Sequence, residues 1–167
     1  MKILSIFNPD NILDIENLPA SHRISTRAIV LDEQDNIALL HAKNLNYYAL
    51  PGGGVDEGET MDQAVVRECK EEVGCLVEII RPLGKVLEVK NDPLRVSEVF
   101  GYLVRLVGEK GVPELMPDEI EEGFVVKWLP VTQAKEILAD ELLRAEEKYK
   151  QIPSRGLAFL KEAFPEL

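Results

Sequence analysis

Three carboxylates within five residues, Glu68, Glu71 and Glu72, stand directly after Arg67 in a stretch that reads as one helix. At roughly 100° per residue, Met61, Val65, Val66, Cys69 and Val73 fall on one broad apolar arc that must face a core. Glu68, Glu71 and Glu72 fall on the adjoining arc, and Glu72 projects into the apolar one. Crowding and drying carboxylates costs free energy twice, through lost hydration and through mutual repulsion. Cations relieve both costs, and hard oxygen donors of this kind suit Mg2+ or Mn2+. The alternative is an ordinary acidic helix face in solvent. Arg67, four residues before Glu71, is spaced to brace that carboxylate rather than to react.

The elements that must position these groups are marked locally. Thr60-Met61-Asp62-Gln63 fits a capping box, in which the threonine and the glutamine satisfy backbone donors at a helix start. Gly74 stands where a left-handed residue ends a helix, so a helix of about fourteen residues is predicted. Before it, Leu50-Pro51-Gly52-Gly53-Gly54 is a loop whose glycines let backbone approach a metal or a phosphate closely. Loop and carboxylates can therefore converge.

Gly53, five residues, Glu59, seven residues, then Arg67-Glu68-Cys69-Lys70-Glu71-Glu72-Val73-Gly74-Cys75 resembles the signature of the Nudix hydrolase family in residue type and spacing. Leu50-Pro51-Gly52 ahead of it is also like the family. Cys69 and Cys75 depart from it, since a larger aliphatic residue is usual there; cysteine is a small hydrophobe, so packing should survive. A nucleophilic role for Cys69 would need an activating histidine, and none is near in sequence. The resemblance implies an α/β/α sandwich with a mixed sheet and C-terminal helices. It implies metal-dependent hydrolysis of a nucleoside diphosphate linked to another moiety: a nucleoside triphosphate, ADP-ribose, a nucleotide sugar or a dinucleoside polyphosphate. Glu68 and Glu72 would be the main metal ligands, Glu71 would share that role, and Glu59 and the Gly53 carbonyl would complete or support the set. A binding module that senses a nucleotide without cutting it is the competing function, although such members usually lose the carboxylates retained here. A prenyl diphosphate isomerase on the same fold would need further catalytic residues that are not evident.

Family members often take another acidic residue, as ligand or base, from a loop beyond this signature. Glu98 and the cluster Asp118-Glu119-Ile120-Glu121-Glu122 are the candidates, Glu119 first and Glu122 next; a solvated acidic loop is the alternative. Arg27 and Lys43, on or beside the first hairpin, could hold phosphate together with Gly52, Gly53 and Gly54. Tyr47, Tyr48, Phe100 and Trp128 could stack on a base. His22 and His41 show no partner pattern.

The rest of the chain reads as an α/β domain. Residues 1–21 form a short strand or arm with breaks at Asn8-Pro9-Asp10 and Leu18-Pro19-Ala20. Ile24–Leu31 and Ile37–His41 read as a hairpin around an Asp-rich turn that resembles a calcium loop only superficially. Tyr47–Leu50 is a short apolar run that ends at Pro51; strands are predicted at 76–80, 84–89, 96–107 and 124–129, and an acidic loop at 113–123. Helices at 132–150 and 154–164, separated at Ile152-Pro153, close the chain. In the first of them, Leu138, Leu142, Ala145 and Tyr149 make a buried stripe. Strands before and after an internal helix, with more helices at the end, point to layers around a mixed rather than regularly wound sheet.

At 167 residues with no linker or repeat, residues 1–167 are expected to be one domain. A formal charge of −11 argues against a nucleic-acid polymer or an anionic membrane as partner, because both require a basic surface. A small anionic substrate remains open to it if cations intervene. The opening apolar run is too short for a signal peptide core, and no stretch approaches a membrane span. Two cysteines without a framework suggest reduced thiols and a cytoplasmic setting. The oligomeric state is left open, a homodimer included.

Overall fold

The computed structural model describes residues 1–13, 21–91 and 94–166. The break expected at Leu18-Pro19-Ala20 lies outside the described residues. Seven strands, β1 (Ile3–Phe7), β2 (Ser21–Leu31), β3 (Asn36–Ala42), β4 (Tyr47–Ala49), β5 (Leu76–Asn91), β6 (Leu94–Val107) and β7 (Phe124–Pro130), join one sheet. Its order is β1-β5-β6-β2-β3-β4, with β7 on the free edge of β3. β1 runs parallel to β5 and β2 parallel to β6, while the remaining pairs are antiparallel. The sheet is mixed, as expected.

Helix α1 (Met61–Glu68) covers one face, and α3 (Val131–Arg144) and α4 (Gln151–Ala163) cover the other. The run Ala28-Ile29-Val30-Leu31 is apolar throughout because β2 is buried on both sides. Ile29 and Leu31 face α3 and α4; Ala28 and Val30 face α1, with Val65, Cys69 and Val73. Each fully buried aliphatic side chain of this kind contributes about 1.5–3 kcal/mol. Gly101 on β6 has no side chain because the ring of Phe159 occupies the place; an added Cβ would lie 2.3 Å from it.

The expected hairpin of β2 and β3 pairs only beside its turn, at Leu31 and Ile37. Beyond that point the strands splay, because β3 turns to β7 and β4 for its hydrogen bonds. The segment after β4 fills the V: Thr26 N–H donates to Gly53 O, Ala28 N–H to Pro51 O, and Val55 N–H to Ile24 O. The glycine loop is thus held as a makeshift strand inside the split sheet. The turn before β3 is held by Asp32, whose buried carboxylate accepts from the Gln34 and Asn36 amides and from Lys110. That is turn chemistry, as the sequence suggests.

Several boundaries differ from expectation. The strands predicted at 76–80 and 84–89 are one long strand, β5, and irregularities between Ile79 and Arg81 and between Pro82 and Gly84 absorb the proline. Part of the predicted acidic loop is a short helix, α2 (Pro117–Glu122), with Pro117 at its first turn and left-handed Gly123 at its end. Helix α3 stops at Arg144, where Ala145 becomes extended, and a 3-10 turn (Glu147–Tyr149) leads to α4. Pro153 is not the break; it sits in the first turn of α4, where its missing N–H has no helical partner to lose. The predicted stripe holds at Leu138, which is buried, weakens at the half-buried Leu142 and Ala145, and ends with that boundary, since Tyr149 is exposed.

Candidate active site

Both predicted ends of the acidic helix are present. Thr60 Oγ1 accepts from Gln63 N–H, the Gln63 side chain accepts from Thr60 N–H, and Gly74 is left-handed at φ 73°. The last turn, Cys69–Val73, is π-helical rather than α-helical. A π turn widens the helix and re-aims the side chains it carries, and such turns recur at functional sites. Here it carries Glu71 and Glu72, while Cys69 and Val73 remain buried on the sheet.

Glu68 and Glu72 are both buried, and both line a cleft of about 690 Å³ at the split of the sheet. Gly52 and Gly53 form the facing wall. Gly52 N–H donates to Glu72 Oε2, and a Cβ on Gly53 would lie 2.4 Å from Glu68 Oε1. Gly53 is therefore required by the Glu68 carboxylate, which lies where a side chain would be, and Gly52 by the backbone of β2, 2.2 Å from its added Cβ at Thr26 O. Gly54 differs: its carbonyl accepts from Arg67 Nη2 at 2.9 Å, and it stays behind the cleft wall.

Arg67 ties the acidic residues together. Its Nε and Nη2 bond both oxygens of Glu59, at 2.9 and 3.0 Å, and its Nη1 reaches Glu68 at 2.9 Å and Glu71 at 3.0 Å. The brace expected for Glu71 thus extends to two more carboxylates. Glu59 is bound bidentately, and Arg67 holds its carboxyl below the usual range. Its oxygens are occupied by Arg67 and by the Asp56 amide. Replacing Arg67 with lysine, a point charge without a planar fork, is expected to weaken the apparent affinity for magnesium by about 10–100-fold. The magnesium dependence of the rate measures this, and an unchanged dependence would contradict the bracing role.

Electrostatics single out Glu72. Burial pushes its carboxyl well above the usual range; the Glu68 charge and a hydrogen bond with Glu119 push the same way, against Arg27 and the Gly52 amide. Burial also raises Glu68, against its bonds to Arg67. Crowding of this kind favours either a bound proton or a bound cation. Buried carboxylate oxygens crowded by one another fit a hard divalent ion.

With Glu68 and Glu72 raised, the folded chain holds more protons than the unfolded one. Their contribution to stability is full below the unfolded value of about 4.3 and falls as pH climbs through the raised range. Glu59, held low, acts in the opposite sense and only at more acid pH. Thermal melts in chelator are expected to show stability falling from weakly acid toward neutral pH, and magnesium is expected to remove that fall. A melt indifferent to magnesium would contradict it.

Outside the helix, the structure brings Glu119 into the cleft. Its carboxylate accepts from Met116 N–H at 2.7 Å, which anchors α2, and it contacts Glu72. Asp118 and Glu122 also line the cleft, and Glu122 accepts from Tyr47 Oη at 2.7 Å. Glu98 is elsewhere, paired with Lys85. Arg27 lines the cleft, whereas Lys43 is exposed beside Gly123 and does not. Of the four aromatics only Tyr47 reaches the cleft; Tyr48 stacks on His41, and Phe100 and Trp128 pack against the α1-side core. Cys69 is buried, and burial pushes its thiol up, which suits core filling rather than nucleophilic attack.

Arg23, Arg155 and Ile152 also line the cleft and were not anticipated. For Arg155 a signal existed: it lies four residues before Phe159, on the buried arc of α4. Read alone, a cation on an apolar arc is indistinguishable from a helix-edge charge.

A mixed sheet between helices, split at one point by a glycine loop that meets an acidic helix, defines an α/β/α sandwich with a carboxylate-lined cleft. The model of the NUDIX domain matches residues 21–152, and the chain belongs to the Nudix family. It is 39% identical over 67 residues to an ADP-ribose pyrophosphatase of Methanocaldococcus jannaschii, covering 38% of this chain and 40% of that protein. It is 32% identical over 127 residues to the NAD-capped RNA hydrolase NudC of Pseudomonas aeruginosa, covering 72% of this chain and 43% of the other. The chain thus spans less than half the length of these two relatives. The crystal structure of a MutT protein from Methanosarcina mazei shares the fold, with a TM-score of 0.58 at 19% identity, over 89% of this chain and 97% of that one.

Proposed function

We propose that this chain is a divalent-metal-dependent hydrolase. It cuts a phosphoanhydride bond in a nucleoside diphosphate linked to another moiety, the class that includes nucleoside triphosphates, ADP-ribose, nucleotide sugars and dinucleoside polyphosphates. The observation that carries this reading is the buried pair Glu68 and Glu72, facing a glycine wall and joined by Glu119. The names of the two relatives, an ADP-ribose pyrophosphatase and an NAD-capped RNA hydrolase, support the reaction class.

Glu68, Glu71 and Glu72 would hold Mg2+ or Mn2+, with Glu119 closing the set from α2. When bound, such ions supply electrophilic polarisation of phosphoryl oxygens and neutralise their charge. The protein's own residues do the rest. Arg67 holds the angles of Glu68 and Glu71 through one planar guanidinium, with Glu59 locking that guanidinium from behind. The Gly53 carbonyl is turned toward Thr26, with which it bonds at 2.9 Å, and so supports the wall rather than acting alone. Arg27 brings positive charge to the cleft for the substrate's phosphates. Glu119, outside the rigid helix and on a short element of its own, is the candidate base for an attacking water.

All seven strands joining one sheet supports treating the chain as one domain. Among the described residues no helix is long and apolar enough to cross a membrane. The buried, unpaired Cys69 and Cys75 suit a cytoplasmic setting.

The experiment is a panel of nucleoside triphosphates, ADP-ribose, nucleotide sugars and dinucleoside polyphosphates, incubated with magnesium and analysed for products. At least one member is expected to be cleaved between phosphorus atoms. A protein that binds a panel member yet cleaves none is a sensing module, and the hydrolase reading is then wrong.

A further inference from the structure

The sheet face beneath α4 carries positive charge in successive rows. β2, β6 and β5 are in register there: Arg27 lies beside Gly101 and Gly84, Arg23 beside Ser97 and Glu88, and Ser21 beside Arg95 and Lys90. These positions share one face, since alternate residues of a strand point the same way. α4 adds Arg155 from above, its Nη1 3.0 Å from Glu88 Oε1, with both side chains nearly dry. Glu88 is the one carboxylate this face contributes to an ion pair among the described residues; Arg23, Lys90 and Arg95 have none there.

From the Arg27 row to the Arg95 row is six residues, about 20 Å at roughly 3.3 Å per residue. One end opens into the cleft, where Arg23, Arg27 and Arg155 line the same space as Glu68 and Glu72. Arg23 reaches back over the glycine loop, its Nη2 3.7 Å from where a Gly54 Cβ would stand. Arg27 donates to Thr26 O at 2.6 Å, but its Nε is buried with no partner among the described residues, and so is that of Arg95.

Among the described residues Glu88 is the one carboxylate paired within these rows, and beyond it Lys90 lies in the field of Arg95. Burial first and Arg155 next bring Arg27 down to about 10, against Glu72, Glu88 and Glu68. The carboxylates that offset this charge sit at the cleft end, so among the described residues the far rows keep positive charge for an anionic ligand. Planar guanidinium groups in a row fit phosphate oxygens.

We propose that Arg27, Arg155, Arg23, Lys90 and Arg95 form a track that binds further phosphate groups of an extended, multiply phosphorylated small molecule whose scissile diphosphate lies at Glu68 and Glu72. The second half of this inference rests on the hydrolase reading; the track itself does not. It narrows the substrate class to compounds bearing phosphate beyond the diphosphate that is cut.

The test is calorimetric titration of the full chain with linear inorganic tripolyphosphate in chelator, so that binding is read without metal and without turnover. Saturable binding is expected for the unmodified chain. Arg23→Gln, an exposed position, is expected to weaken it about tenfold, a difference of about 1.4 kcal/mol. The double variant Arg155→Gln with Glu88→Gln, which removes both members of the buried pair, is expected to weaken it by at least as much. Lys135→Gln, the same change of charge on the exposed side of α3, is expected to leave it unaltered. No binding by the unmodified chain overturns the track; so do variants that bind as it does, or equal weakening by Lys135→Gln. A chain that passes this titration but cleaves no phosphoanhydride keeps the track and loses the hydrolase reading, whereas one that cleaves but fails the titration loses only the track.

Discussion

Replacing Glu72 with glutamine is expected to lower turnover by about 10²–10³-fold, the loss typical of removing one charge-stabilising group from a phosphoryl-type site. The substitution preserves shape and hydrogen-bonding capacity, so Gly52 N–H keeps an acceptor. What it removes is the charge. In the metal-free chain that charge is a liability, because the carboxyl is dry and crowded by Glu68. Glu72→Gln is therefore expected to melt at the same temperature as the unmodified chain in chelator, or higher, and to gain little from magnesium. A ligand at 100 times its dissociation constant stabilises the folded state by about 2.7 kcal/mol. At about 2–4 °C per kcal/mol for a chain this size, the unmodified protein should gain several degrees. Loss of activity accompanied by loss of folding would leave the charge unimplicated, so circular dichroism belongs with the assay. A fully active Glu72→Gln would remove the metal assignment.

Gly52→Ala is expected to cost about 2–4 kcal/mol of stability and to inactivate the protein in the same stroke. Gly52 has φ 132°, a conformation that side-chain-bearing residues rarely adopt. A Cβ there would lie 2.2 Å from Thr26 O and 2.9 Å from Arg27 Cα. Both are backbone of β2, so no side chain can swing away. Relief requires the loop to part from β2, which breaks the bonds of Pro51 and Gly53 with that strand and withdraws Gly52 N–H from Glu72. Thermal melts and activity are expected to fall together, the melt by roughly 5–15 °C. Gly58→Ala is the comparison: nothing lies within 4 Å of its added Cβ, so only the strain of φ 81° is felt. Equal effects at the two positions would mean that the contact with β2 is not what Gly52 protects.

What could be read from the sequence was whatever is decided locally. The ends of the acidic helix follow from Thr60, Gln63 and Gly74, because capping is a matter of a few neighbouring residues. The arc containing Val65, Cys69 and Val73 follows from helical geometry alone, and so does the conflict of Glu72 with it. The π turn at Cys69–Val73 was not visible, since its residues are as compatible with an α-helical turn. Among the candidate residues, the partners of Arg67 were legible in part: Glu71 follows from a spacing of four, but Glu59 and Gly54 come from the loop folding back. Glu119 was one of several acids in a stretch read as a loop; its contact with Glu72 depends on α2, too short to announce itself by periodicity. Arg155 was missed because its meeting with the cleft depends on where α4 begins. From sequence alone Pro153 is as compatible with a stop as with the first turn of a helix, which leaves that boundary undecided. β5 was divided in two because Pro82 and Gly84 look like breakers, whereas a strand edge with bulges accommodates both.

Mn2+ titration followed by electron paramagnetic resonance asks, without knowledge of the substrate, whether the buried carboxylates of α1 and its π turn hold a divalent cation. The unmodified chain is expected to bind Mn2+ saturably and to release it to excess Mg2+, and Glu72→Gln is expected to bind at least about tenfold more weakly, a loss of about 1.4 kcal/mol or more. Equal binding by the two proteins, or none by the unmodified chain, would contradict the claim.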